Sequence, residues 1–554
     1  MDRLPPGADW AEADGPEAWA GRTGRMTDRM YAAQYFSQIS ELLRRLPRVI
    51  LLMLKTNDCL RSVNHTLLSV VSRSDGPLPL IVFINSFHAS LFSVSHMIHY
   101  LLILLFLISV GGAPIDAEVK QFPGFDGEFP SKHYAGYIGL GDEEHKRHMY
   151  YYFATSKRNP SEDPITLWLT GGPGCSGLDA LAHLVGPFEV VPDTFHYTKQ
   201  PKTRLSPYSW TKVSSILSVD SPVGTGYSYA ENADDYITND DKTVSDLYDF
   251  LIKWYSEYPE FLPNPIFLAA CSYTGVIVPP LAQEIAKGIE SGKEPRINLK
   301  GYTIGNGAYD VDSERSAMVP FANRIGLISD EHYQDLASSC QGKYVDNDDP
   351  ECLKNMENFQ SHIESINPFH VLCLRCHFDM AVNMDSYEHD SLKMYQAIHG
   401  ASPFNEECHG YELTSERLFE SENSRRIVNA APREVTGQWI RCTKRINYER
   451  TVLSTMEYHL NLTKKGYKGF IYNGDHDLVF PYTGQLQWLK SFNYSVINKW
   501  HPWTVDGSIA GYAVEFENNL CFATFKGGGH TVTENMPHEA LVAIERWLGG
   551  ASCL

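Results

Sequence analysis

Downstream of about residue 120 the chain alternates short apolar runs with stretches of helical spacing. The segment Gln121 to Ile138 reads as a loop entering a strand, and the aromatic-rich Arg147 to Ser156 as a strand. Asp163 to Gly177 is an apolar run that breaks into a glycine-rich turn, and Ile216 to Tyr229 repeats the pattern. Thr243 to Tyr258 carries Leu247, Phe250, Leu251 and Trp254 on one helical face, a spacing that assigns them to the core. Ile266 to Ala269 is a buried strand of minimal length, followed by small residues and then by helical spacing. Further strands are predicted over Leu299 to Gly307, Gly469 to Leu478 and Cys521 to Thr531, and a final helix over Met536 to Leu548. Strand–helix alternation of this kind predicts an α/β fold around a mostly parallel sheet. It lapses between Asn306 and about Tyr467, so residues 307–466 read as a helical lid inserted over the sheet.

Residues 1–96 show no sustained period and are assigned no fold. Met97 opens a different pattern: the ten apolar residues Leu101 to Val110 precede the small residues Gly111, Gly112 and Ala113. That run is short of the ~20 residues of a membrane span and matches the apolar core and cleavage site of a signal peptide, here 97–117. A signal anchor and a buried core helix are the rival readings. The expectation is that Met97 is the native start and that 118–554 form the mature domain, without a stable membrane span.

Composition narrows the classes. The 554 residues include 43% hydrophobic ones, enough for a large core, and 47 basic against 67 acidic residues give a net charge of −20. Without a basic patch or a recognition motif, nucleic-acid binding is excluded. Seven of the eleven cysteines lie between Cys271 and Cys442, which points to a locally stapled insertion in an oxidising compartment. Cys373 to His377 matches the C-x-x-C-H haem pattern, but one match is weak, and no second ligand pair is spaced for zinc. No metal or cofactor is expected. Asn461 and Asn493 head N-glycosylation sequons, meaningful on the secretory route.

The candidate chemistry collects at strand ends. Ser272 follows the Ile266 strand at a strand-to-helix turn, where a strained elbow presents a nucleophilic hydroxyl. Ala270 is small enough for such a turn, but G-x-S-x-G is not met, because Gly275 comes one place late. Asp475, Asp477 and His530 follow later strands, giving the order Ser, Asp, His at the sheet edge where ligands bind. The turn after Asp163–Leu169 lacks the lysine of a phosphate loop and reads as an anion or oxyanion cradle.

Five stretches together resemble the serine carboxypeptidase family, and within it the plant serine carboxypeptidase-like proteins: L-W-L-T-G-G-P-G-C-S-G at 167–177, V-D-S-P-V-G-T-G-Y-S-Y at 219–229, C-S-Y-T-G at 271–275, G-D-H-D at 474–477 and K-G-G-G-H-T at 526–531. They occur in family order, and the likeness runs from about Phe122 to Leu548. The resemblance implies an α/β-hydrolase fold with a disulfide-stapled lid. It makes Ser272 the nucleophile, His530 the base and then acid, Asp477 the carboxylate that orients it, and the N–H groups of Gly172 and Tyr273 the oxyanion donors. It pairs Cys175 with Cys442, Cys340 with Cys352 and Cys376 with Cys408, leaving Cys271, Cys373 and Cys521 unpaired. Thr170, Gly171 and Cys271 would meet substrate.

Two departures bear on specificity. Family carboxypeptidases have Asn-Gly-Gly where this chain has Thr170-Gly171-Gly172, and Gly-Glu-Ser-Tyr in place of Ala270-Cys271-Ser272-Tyr273. That Asn and Glu hold the free carboxylate of a peptide. Losing two bonds of about 1.5–3 kcal/mol each would slow peptide turnover by roughly two to four decades. Thr-Gly-Gly is similar to the plant branch that transfers acyl groups from glucose esters, although that branch has Asp before the serine. The expected function is therefore acyl transfer from a small-molecule donor to an alcohol acceptor, in a vacuolar or extracellular setting. A C-terminal exopeptidase acting on a peptide C-terminus comes second, and a secreted binding protein third. Cys271 as the nucleophile is discounted, since the elbow exposes one side chain only.

Overall fold

A computed structural model describes residues 114–191, 201–373 and 411–554. The 1–96 stretch, most of the signal-peptide segment, the bulk of the C-x-x-C-H pattern and the Cys376–Cys408 pairing lie outside the described residues.

Twelve strands form the main sheet. In chain order they are β1 (Glu118–Val119), β2 (His133–Leu140), β3 (Arg147–Ala154), β4 (Ile165–Leu169), β5 (Ser215–Val219), β6 (Tyr229–Ala230), β7 (Ile266–Cys271), β8 (Leu299–Gly305), β9 (Lys468–Gly474), β10 (Val496–Val505), β11 (Ser508–Phe516) and β12 (Leu520–Phe525). Spatially they run β1-β2-β3-β5-β4-β7-β8-β9-β12-β11-β10, with β6 against β3. The six central strands, β5 to β12 in that spatial order, pair in parallel. Both flanks are antiparallel, so the sheet is mixed and its parallel part is the centre.

The central strands read as unbroken apolar runs because both faces are covered. Every residue of β4, β5, β7 and β12 is buried. Alternate residues of β7 enter opposite cores: Leu268 and Ala270 pack with α1 (Asp240–Glu257) and α2 (Val278–Glu290), while Phe267, Ala269 and Cys271 face Trp547 and its neighbours. The helix expected from Thr243 begins three residues earlier, where the Asn239 side chain accepts the Lys242 N–H and supplies the cap.

Between β8 and β9 the described residues are mainly helical. Here lie α3 (Val311–Arg324), α4 (Asp330–Cys340), α5 (Pro350–Ile363), α6 (Tyr411–Phe419), α7 (Glu422–Ile427) and α8 (Met456–Lys464). The Cys340–Cys352 disulfide staples α4 to α5, and their own small core contains Val319, Phe321, Leu336 and Phe359. Cys175 pairs with Cys442. Helices α9 (Tyr482–Lys490) and α10 (Pro537–Leu548) complete the domain.

One cysteine assignment is corrected. Cys521 is bonded to Cys553, because the tail after α10 folds back and brings the two Cα atoms to 5.3 Å. Lys468 secures that tail by donating from Nζ to the carbonyls of Trp547 and Ala551 at 2.7 and 2.8 Å. The long β10–β11 hairpin is also absent from the sequence reading: most of β10 is exposed on both faces, so its apolar residues follow no alternation.

Candidate active site

Strand β7 delivers Ser272 into the left-handed region, with φ of +62°. A serine holds such a conformation only when its surroundings fix it. Thr274 supplies one tie, since its Oγ1 accepts the Cys271 N–H at 3.2 Å and donates to the Leu169 carbonyl at 2.9 Å. A second is the Ser272 carbonyl, which accepts the Ala308 N–H at 3.0 Å. The late glycine has its reason here: a Cβ on Gly275 would lie 2.4 Å from the Ala308 oxygen. Ser272 is half-buried.

The glycine-rich turn after β4 presses against this elbow. A Cβ on Gly171 would come within 2.6 Å of both Ser272 Cβ and the Tyr273 nitrogen. The turn is held from behind by the Cys175–Cys442 disulfide, by Ser176 N–H donating to the Arg441 carbonyl at 2.7 Å and by Thr443 N–H donating to the Gly174 carbonyl at 2.9 Å. Asp220, wholly buried, accepts the Ser176 hydroxyl at 2.5 Å and the Tyr227 N–H at 2.9 Å, and burial pushes its carboxyl up to about 6. Tyr273 is the second residue of a short 3-10 helix, Ser272–Val276, whose first N–H groups have no intrahelical partner. The glycine turn at Gly171 and the Tyr273 nitrogen thus lie together beside Ser272.

The loop after β9 and the loop after β12 meet over the same edge. His530 Nδ1 lies 2.8 Å from Asp477 Oδ2, and both groups are buried. Asp477 also accepts the Asn306 amide at 2.8 Å and the Val479 N–H at 2.8 Å. The His530 N–H donates to the Phe369 carbonyl at 2.6 Å, and the Phe369 ring stands edge-on to the imidazole at 5.2 Å. Asp475 has other work. Its Oδ1 accepts the Gly527 N–H at 2.7 Å and lies 2.6 Å from His476 Nδ1, so it braces the glycine loop.

The two departing positions sit as follows. Thr170 Oγ1 accepts the Trp168 indole N–H at 3.1 Å. Cys271 is buried and outside any disulfide, and its thiol is pushed up to about 12, by burial first and then by the charges of Asp477 and Glu534. It is an uncharged, inert thiol at any physiological pH.

Asn306 and Phe369 were missed in the sequence. Asn306 could have been found, since Gly305-Asn306-Gly307 ends a central strand at the edge that carries the other groups. Phe369, from the insertion, had no such signal. Among the described residues no cluster of three or more His, Cys, Asp or Glu is placed to hold a metal, and no helix is long and apolar enough to cross a membrane.

A central parallel sheet with a serine elbow, and with carboxylate and imidazole on successive strand ends, defines an α/β hydrolase. The serine carboxypeptidase family model matches residues 123–550, and the chain belongs to that family of hydrolases. It is 39% identical over 470 residues to serine carboxypeptidase 1 of Hordeum vulgare, covering 79% of this chain and 94% of the relative. It is 37% identical over 486 residues to serine carboxypeptidase-like 20 of Arabidopsis thaliana, covering 81% and 96%. Among solved structures, Kex1(delta)p, a prohormone-processing carboxypeptidase from Saccharomyces cerevisiae, superposes with a TM-score of 0.63 at 20% identity, covering 79% of this chain and 96% of that one. At that identity the likeness speaks for the fold.

Proposed function

We propose that the chain catalyses acyl transfer through a seryl ester, from a neutral ester such as a glucose ester to a small-molecule alcohol. Ser272 Oγ attacks the donor carbonyl as its proton passes to His530 Nε2. The N–H groups of Gly172 and Tyr273 take the oxygen's developing charge. Asp477 holds the imidazole in the tautomer that accepts at Nε2 and stabilises the imidazolium. His530 then protonates the departing sugar oxygen. The acceptor hydroxyl enters by the reverse path, giving its proton to His530, and Ser272 leaves with it.

The observation that carries the choice of a neutral ester is Cys271. The residue beside the nucleophile is a buried thiol, at most a weak donor toward a substrate carboxylate, and Thr170 brings one hydroxyl where the peptidases have an amide. A C-terminal exopeptidase is the second reading, favoured by the 39% identity to a barley serine carboxypeptidase along nearly its whole length. In either case we assign the chain to the secretory route, with a vacuolar or extracellular destination. The test compares kcat/KM for a blocked dipeptide and a glucose ester, the latter with an alcohol acceptor. The wild type is expected to favour the ester by at least two decades. Thr170→Asn with Cys271→Glu should shift activity toward the dipeptide, most at acidic pH, where the new carboxyl is protonated and can donate. Efficient dipeptide cleavage by the wild type without transfer to any alcohol would put the exopeptidase first.

A further inference from the structure

Tyr273, whose N–H the proposed mechanism uses as an oxyanion donor, has its side chain fixed at the phenol. The phenol donates to Asp240 Oδ1 at 2.9 Å, and the Tyr448 phenol donates to the same oxygen at 2.8 Å. The other carboxylate oxygen, Oδ2, accepts the N–H groups of Thr451 and Val452 at 2.7 and 2.8 Å. Asp240 is wholly buried at the first turn of α1, so these four donors stand in for water. Burial pushes both phenols far above their usual range, and they remain donors at every working pH.

Residues 447–452 are the end of the insertion that returns to the sheet. Asn447–Glu449 pairs in parallel with Ile237–Asn239, just before α1. The outgoing end reaches the same place: Glu314 on α3 accepts the N–H groups of Tyr309 and Asp310 and holds the Arg450 guanidinium through two nitrogens at 2.9 and 3.0 Å. That guanidinium lies 5.9 Å from the centre of the Tyr273 ring. Thr274 and the Ser272 carbonyl tie the elbow from the strand side, and the phenol adds the tie on the side of the insertion.

We infer that Asp240 is a positioning residue: through the Tyr273 phenol it holds the Ser272–Tyr273 peptide, and hence the Tyr273 N–H, in register with both ends of the insertion. The inference rests on Ser272 being the nucleophile. Losing one oxyanion donor costs about 10²–10³ in rate, and a donor displaced by a fraction of that costs less.

The test uses Tyr273→Phe and Tyr448→Phe, each of which removes one phenol from the same carboxylate oxygen and keeps the ring. Three quantities are measured: kcat and KM on an activated ester, the second-order rate of fluorophosphonate labelling, and affinity for phenylboronic acid, whose tetrahedral adduct puts an oxygen in the hole. Tyr273→Phe should lose about 10- to 100-fold in kcat and labelling and a similar factor in boronate affinity, with KM within about twofold. Tyr448→Phe should keep kcat within about threefold. Equal losses in both variants would mean a structural network only and overturn the inference, as would an unchanged boronate affinity in Tyr273→Phe. A wild type that fails to label would instead refute the role of Ser272.

Discussion

At the scale of single residues, two aspartates two positions apart have different partners. Asp477 meets the imidazole of His530, whereas Asp475 is spent on the Gly527 N–H and on His476. Asp477→Asn should therefore lower kcat by about 10⁴-fold, since it leaves His530 in the wrong tautomer, and Asp475→Asn by less than tenfold. Steady-state kinetics on an activated ester decides it, and the reverse order would mean the orienting carboxylate is Asp475. The Asp477–His530 contact was legible because each residue follows an apolar run at the same sheet edge, the edge where the β7 strand also ends in Ser272. Asn306, Phe369 and Asp240 were not. They act through contacts with residues 171, 161 and 33 positions away, and no local pattern encodes a partner at that distance.

At the scale of elements, strands buried on both faces were readable as continuous apolar runs, and α1 as an amphipathic stripe. The β10–β11 hairpin was hidden, since Val496, Ile497 and Trp500 are exposed and alternate with nothing. The Cys521–Cys553 link was hidden for another reason: a disulfide depends on where a tail folds back, which spacing does not state. That link closes a span of 32 residues, and the chain-entropy model gives it about 3–4 kcal/mol. Replacing both cysteines by alanine should lower the thermal midpoint by several degrees while leaving ester kinetics at 25 °C within about twofold. A large loss of kcat with an unchanged midpoint would show that the tail acts on the His530 loop and not on stability.

At the scale of the molecule, the family match covers residues 123–550, and the processing of the segment before it is a matter for direct measurement. If Met97 is the native start, N-terminal sequencing of the native protein should find a first residue between about Ala113 and Glu118, and mass spectrometry glycans on Asn461 and Asn493. Recovery of peptides from 1–96 in that product would refute it. The Cys175–Cys442 bond has a consequence for the protein's birth. It joins the two halves across 267 residues, and at roughly 5–20 residues per second the second cysteine is made some 13–50 s after the first. Until the segment Arg441–Thr443 has been made, the turn beside Ser272 lacks the disulfide and the two backbone hydrogen bonds that hold it from behind. The turn beside Ser272 is thus completed late in synthesis, by a residue made long after the strand it follows.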